Sequence, residues 1–220
     1  GIEAIVRTVT GPGDTVIVSP PVYDSFYGFV TTTGRPRLDV PLTASGRLDL
    51  AALEAAFAAA SAGGGRAAYL LCNPHNPTGT VHTRTELTAL AELAAGHHIT
   101  VISDEIHAPL AGEEHTPYLA VPGAANALIV TSASKSWNLA AIKAGLIIGD
   151  RGLLKKLNPM TPDGASYFGV LAHSAALNEA RDWVAEAAAE IAANKEFFAD
   201  ELSLQVPELS YTPSAGTYLA

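Results

Sequence analysis

Short runs of β-branched and apolar residues alternate along this chain with longer stretches of helical period. Thr15–Ser19 (TVIVS), Arg66–Cys72 (RAAYLLC), Ile99–Ser103 (ITVIS), Ala127–Thr131 (ALIVT) and Ala144–Ile148 (AGLII) read as strands. The turn Gly11-Pro12-Gly13-Asp14 opens the first of them. Helical patterns lie between: residues 1–9 (GIEAIVRTV), Tyr23–Thr32, and the alanine-rich Leu50–Ser61, closed by Gly63-Gly64-Gly65. In Thr83–Ala95 the spacing of Thr83 and Glu86 predicts a capping box. From about Ala165 the pattern is helical, breaks near Glu179 and resumes as a long helix over Arg181–Leu202. The last residues, Thr217-Tyr218-Leu219-Ala220, read as a strand.

Strands apolar on both faces and separated by helices predict a three-layer α/β/α fold with a mainly parallel sheet. Such sheets bind ligands beyond the carboxyl ends of their strands. The residues just past each strand are therefore informative. Pro20-Pro21-Val22-Tyr23 comes after the first, and Asn73-Pro74-His75-Asn76-Pro77-Thr78-Gly79 after the second. Asp104-Glu105-Ile106-His107 comes after the third, and Ser132-Ala133-Ser134-Lys135 after the fourth. Gly63-Gly64-Gly65 precedes a strand, so it does not fit a dinucleotide-binding turn, which sits between strand and helix.

Composition narrows the classes. The 220 residues are 48% hydrophobic and 16% charged, which excludes a disordered chain. The net charge is -9 and no basic run stands out, so neither a nucleic-acid partner nor an anionic membrane surface is expected. No apolar stretch is long enough to span a bilayer. A single cysteine, Cys72, excludes an intramolecular disulfide and reads as an inert core thiol. His75 reads as an exposed loop residue and His97-His98 as a solvated helix end; no metal site is expected among the histidines. No targeting segment is visible, and the expected location is the cytoplasm. The uncapped opening helix and the absence of a starting Met suggest an internal piece of a longer protein.

An amine, a carboxylate, an amide and an aromatic ring thus gather at one sheet edge. A lysine there can form a Schiff base with a carbonyl, as in pyridoxal phosphate enzymes. An acidic residue such as Asp104 can hold the pyridine nitrogen of that cofactor protonated. Asn76 can donate to its phenolic oxygen. Tyr23 can stack on the ring or pack into the core. Ser132 and Lys143 are candidates for its phosphate. His107 either hydrogen-bonds beside the cofactor or merely packs.

The ordered motifs Asn73-Pro74-x-Asn76-Pro77-Thr78-Gly79, Ser103-Asp104-Glu105 and Thr131-Ser132-x-Ser134-Lys135 resemble those of the fold-type I pyridoxal phosphate enzymes, aminotransferase class I/II. Pro20-Pro21-Val22-Tyr23-Asp24-x-Phe26 and Asp104-Glu105-Ile106-His107 are similar to the cystathionine β-lyase (C–S β-lyase) branch. The resemblance implies an aspartate aminotransferase-like large domain over residues 1–198 and the start of a small α+β domain over 199–220. It implies that Lys135 holds pyridoxal 5'-phosphate covalently and then acts as general base. It further implies that Tyr23, Asn76, Asp104, His107, Ser132 and Lys143 line the cofactor, Lys143 standing where many relatives have Arg. A small amino-acid substrate and a homodimer are expected, with an upstream phosphate-binding glycine loop and a downstream carboxylate-binding Arg outside these residues. The functions it offers are a lyase releasing pyruvate, ammonia and a thiol, or an aminotransferase. A third, from another class, is a non-catalytic effector-binding domain of a regulator.

Overall fold

A computed structural model describes residues 1–157 and 165–220. In chain order the elements are α1 (Ile2–Val9), β1 (Thr15–Val18), α2 (Ser25–Thr33), β2 (Arg37–Asp39), α3 (Leu50–Ser61), β3 (Ala67–Cys72), α4 (Arg84–Gly96) and β4 (Thr100–Asp104). Next come α5 (Ala108–Ala111), β5 (Ala127–Thr131), α6 (Ala133–Ser136), β6 (Leu146–Gly149), α7 (Arg151–Lys156), α8 (Tyr167–Glu179) and α9 (Arg181–Gln205).

The strands form one sheet in the order β2-β1-β3-β4-β5-β6. Neighbours from β2 through β5 run parallel, and β6 runs antiparallel to β5. Alternation sends successive side chains to opposite faces, and both faces are apolar. Ile17, Tyr69, Leu71 and Val101 pack with α3 and α4 residues Leu53, Phe57, Leu87 and Leu90. Val16, Val18, Leu70 and Ile102 pack on the other face with Ile5 and Val6 of α1 and Phe26 of α2. Each such fully buried side chain contributes roughly 1.5–3 kcal/mol. The predicted three-layer architecture is therefore the observed one.

Some elements differ from expectation. Arg37–Asp39 pairs with Val16–Val18 as an edge strand despite its polar sequence. Thr217–Ala220 is irregular, with no strand partner among the described residues. The predicted capping box is present: Glu86 N donates to Thr83 Oγ1 at 3.2 Å, and Thr83 N donates to Glu86 Oε2 at 2.9 Å. Among the described residues no helix is long and apolar enough to cross a membrane.

Candidate active site

The carboxyl ends of β1, β3, β4 and β5 lie side by side, and the candidate residues extend from them. β3 ends at Cys72 beside Asp104 of β4, which in turn pairs with Val130 of β5. Cys72 is buried, as expected of a core thiol, and burial followed by the nearby Asp104 carboxylate pushes its thiol far above the usual range. Its sulfur accepts from Asn76 N at 3.3 Å, which shapes the loop after β3. The Asn76 side-chain amide is half-buried and makes no hydrogen bond to another described residue.

His75 in the same loop corrects the sequence reading. It is 1% exposed, because the loop folds back on itself. His75 N donates to Thr80 O and Gly79 N donates to His75 O, both at 2.8 Å. The ring lies edge-on to His82, and burial pushes it down to about 4. At the end of α4, His98 is exposed, as expected, whereas His97 is half-buried.

Asp104 is raised to about 6. Burial is the main cause; Ile106 N, which donates to its Oδ1 at 3.2 Å, and the Lys135 ammonium pull it back, while Glu105 pushes it further up. Its other oxygen accepts no hydrogen bond from a described residue. Lys135, one turn into α6, is half-buried and close enough to couple electrically with both Asp104 and His107. His107 is buried, its Nδ1 has no partner among the described residues, and burial, then Lys135 and Lys195, hold it at about 4.

Three tethers fix the short helix α6. Ser132 Oγ caps it, accepting from Ser134 N at 3.1 Å and donating to Ala144 O at 2.8 Å. Ala133 N donates to His173 Nε2 of α8 at 3.0 Å, and Trp137 Nε1 donates to Ala180 O at 2.8 Å. Tyr23 stands 38% exposed after β1, its ring edge-on to Phe26 and its outer face open. Lys143 is exposed, on the approach to β6.

Several residues that sequence reasoning leaves without a role belong to this region. Glu105 accepts from Ser103 Oγ at 2.9 Å and Tyr118 N at 2.8 Å, and pairs with His115 at 3.0 Å, which locks the turn after β4. Tyr218 lies against His107, with ring centroids 5.5 Å apart, and its ring is 6.0 Å from Lys135 Nζ. A cavity of about 280 Å³ opens beside Lys135 and Tyr218, walled by Leu110, Trp183 and Ile191. Nothing local in the sequence signals Tyr218; only the folded chain brings it back to α6.

The donor set can be tested against the cofactor expected from the motifs. A half-buried carboxylate with a raised pKa and a free oxygen suits a protonated ring nitrogen. A free amide suits an anionic ring oxygen, and a coupled primary amine suits an aldehyde. The residues fit pyridoxal phosphate.

The fold is a doubly covered, mainly parallel α/β sheet that carries a lysine, a carboxylate and an amide at or just past the carboxyl ends of its strands. The family model described as aminotransferase class I and II matches residues 1–220, and the chain belongs to that family. A Mycobacterium leprae protein that carries a provisional cystathionine beta-lyase name is 46% identical over 227 residues, covering 100% of this chain and 56% of that protein. The cystathionine beta-lyase of Corynebacterium glutamicum is 34% identical over 226 residues, covering 100% of this chain and 59% of that one. The solved pyridoxal phosphate-bound C–S lyase of Staphylococcus hominis superposes with a TM-score of 0.89 at 25% identity, covering 99% of this chain and 56% of that one. The chain thus spans somewhat over half the length of the relatives it matches.

Proposed function

We propose that the whole protein is a cytoplasmic, homodimeric C–S β-lyase that uses pyridoxal phosphate to cleave cystathionine or related cysteine S-conjugates to pyruvate, ammonia and a thiol. The observation that carries this reading is the placement of Asp104 at the end of β4, paired with β5, whose own carboxyl end runs directly into α6 and Lys135. The lyase branch is supported by relatives named cystathionine beta-lyase at 46% and 34% identity. Four exposed apolar side chains on α8, Tyr167, Phe168, Val170 and Leu171, support the homodimer.

When bound, the cofactor supplies an electron sink for the pair left at the substrate Cα. Lys135 would hold it through Nζ, and that amine would take the proton from the substrate Cα. Asp104 would accept from the protonated ring nitrogen. Asn76 would donate to the ring oxygen, Tyr23 would cover a ring face, and Ser132 and Lys143 would attend the phosphate. His107, held neutral, leaves the positive charge on this side of the site to the lysine. Leu110, Trp183 and Ile191 give the cavity beside Lys135 an apolar wall.

The test is to supply cystathionine to the full-length protein. Pyruvate and free thiol in equal amounts support the lyase, and Lys135→Ala removes both. Amino-group exchange with a keto acid and no thiol makes it an aminotransferase instead. Absence of both reactions, with no borohydride-sensitive absorbance band that depends on Lys135, overturns the enzymatic reading in favour of an effector-binding domain.

A further inference from the structure

We propose that Lys195 is a positioning residue for this site: from α9 it clamps the segment 214–217 so that Tyr218 lies over the Lys135 amine and against His107. The proposal rests on the lyase reading above and goes beyond it, since neither residue belongs to the motif set.

Lys195 is 4% exposed, and among the described residues no carboxylate lies within ion-pair distance. An ammonium has three donors, and a buried one is costly unless all are used. Here all three find oxygen. Lys195 Nζ donates to Ser214 O at 2.6 Å, to Thr217 O, and to Ser214 Oγ at 3.4 Å. A cation buried against two carbonyls and a hydroxyl of one loop fixes that loop's shape.

The other side of the loop is held as tightly. Gly216 N donates to Gly79 O at 3.0 Å, joining the segment to the loop that carries Asn76. Neither glycine has room for a side chain. A Cβ on Gly216 would overlap the Gly79 carbonyl, and one on Gly79 would overlap Ser214. Gly79 also has φ +66°, which glycine tolerates best. Thr217, whose carbonyl Lys195 holds, is 1% exposed and directly precedes Tyr218. The Tyr218 ring lies 5.5 Å from His107 and 6.0 Å from Lys135 Nζ, a cation–π distance. Tyr218 remains 40% exposed, and it borders the cavity beside Lys135. Its open face is therefore available to an amino-acid side chain held above the lysine.

The experiment is a double-mutant cycle in the full-length holoenzyme. Lys195→Met and Tyr218→Ala should each lower kcat/KM for cystathionine about tenfold, and the pair should lose no more than either alone. Tyr218→Phe keeps the ring and should stay within about twofold of wild type. Lys195→Arg can donate to the same carbonyls and should restore most of the loss. Gly216→Ala displaces the segment with Lys195 intact and should reproduce the Lys195→Met defect, which covers the case that Lys195→Met does not fold. Amide hydrogen exchange of the peptide spanning 212–219 should speed up in Lys195→Met and Gly216→Ala and return in Lys195→Arg. Additive losses, or a Tyr218→Ala enzyme with wild-type kcat/KM, overturn the proposal. If the wild-type protein cleaves no cystathionine, the lyase reading fails by itself. The clamp is then judged by exchange, and unchanged exchange in Lys195→Met overturns it.

Discussion

Asp104 combines a cost and a use in one side chain. Its carboxyl is raised to about 6 in the fold, against about 3.9 in an unfolded chain. A raised value means that its contribution to stability is fully present below about pH 4 and is lost as pH rises through 6. Above that pH the cofactor-free protein holds a poorly compensated anion, at a cost on the order of 2 kcal/mol once partial solvent access is allowed for. Asp104→Asn keeps an acceptor for Ile106 N and escapes the cost. Urea titration should find the cofactor-free variant more stable than wild type by that amount at pH 8 and equal to it at pH 4. Cofactor-dependent turnover should fall about 100-fold, as expected when a preorganised charge is lost. A variant less stable than wild type at pH 8 would sink this account. Residue chemistry of this kind is readable from the sequence: Asp104, Lys135 and Asn76 each come just after a recognisable strand. Tyr218 and Lys195 are not, because their contacts join α9 and the chain's last residues to loops far away in sequence.

Two small caps at the level of elements separate folding from function. Thr83 caps α4 and is not among the candidate cofactor-binding residues, and its partner Glu86 is also bound by Arg47, whose Nε donates to Glu86 Oε1 at 2.8 Å. Ser132 caps α6 and is also a candidate phosphate ligand. Removing either hydroxyl should cost about 1 kcal/mol of stability. Thr83→Ala and Ser132→Ala should therefore melt alike, while equilibrium dialysis finds weaker pyridoxal phosphate binding only in Ser132→Ala. Equal cofactor affinity in the two would reduce Ser132 to a cap. The main strands are legible because an apolar run on both faces has few other uses. Arg37–Asp39 is not, since an edge strand of three residues, two of them charged, is held by its partner's backbone and leaves little hydrophobic signature. Thr217–Ala220 misleads in the opposite sense: its Thr, Tyr and Leu suit a strand, yet Lys195 holds the Thr217 carbonyl and Gly79 O holds the N–H of Gly216 just before it. The division suggested at residue 198 falls within α9, which continues to Gln205.

The whole molecule should be acid-labile, for a reason opposite to that of Asp104. His75 and His107 are pushed down to about 4 and His82 to about 3, each mainly by burial. A loop reading alone makes His75 a solvated residue; its burial against His82 turns both into neutral core groups. Near pH 5 the unfolded chain protonates all three rings and the fold none, so the fold loses stability as pH falls from 6.5 toward 4. Asp104 works against this, because in the same range the fold holds a proton there that the unfolded chain has released. The balance is about two protons, or a slope of about 2.7 kcal/mol per pH unit near pH 5. Between pH 6.5 and 5 the cofactor-free protein should thus lose about 3 kcal/mol, much of a typical domain's stability. Urea midpoints at pH 7, 6 and 5 check this directly. Replacing His107 by Gln, which cannot protonate, should cut the slope by about half, whereas Asp104→Asn should steepen it. A flat profile in the wild type, or the same slope in both variants, would mean that these buried groups do not govern the acid transition.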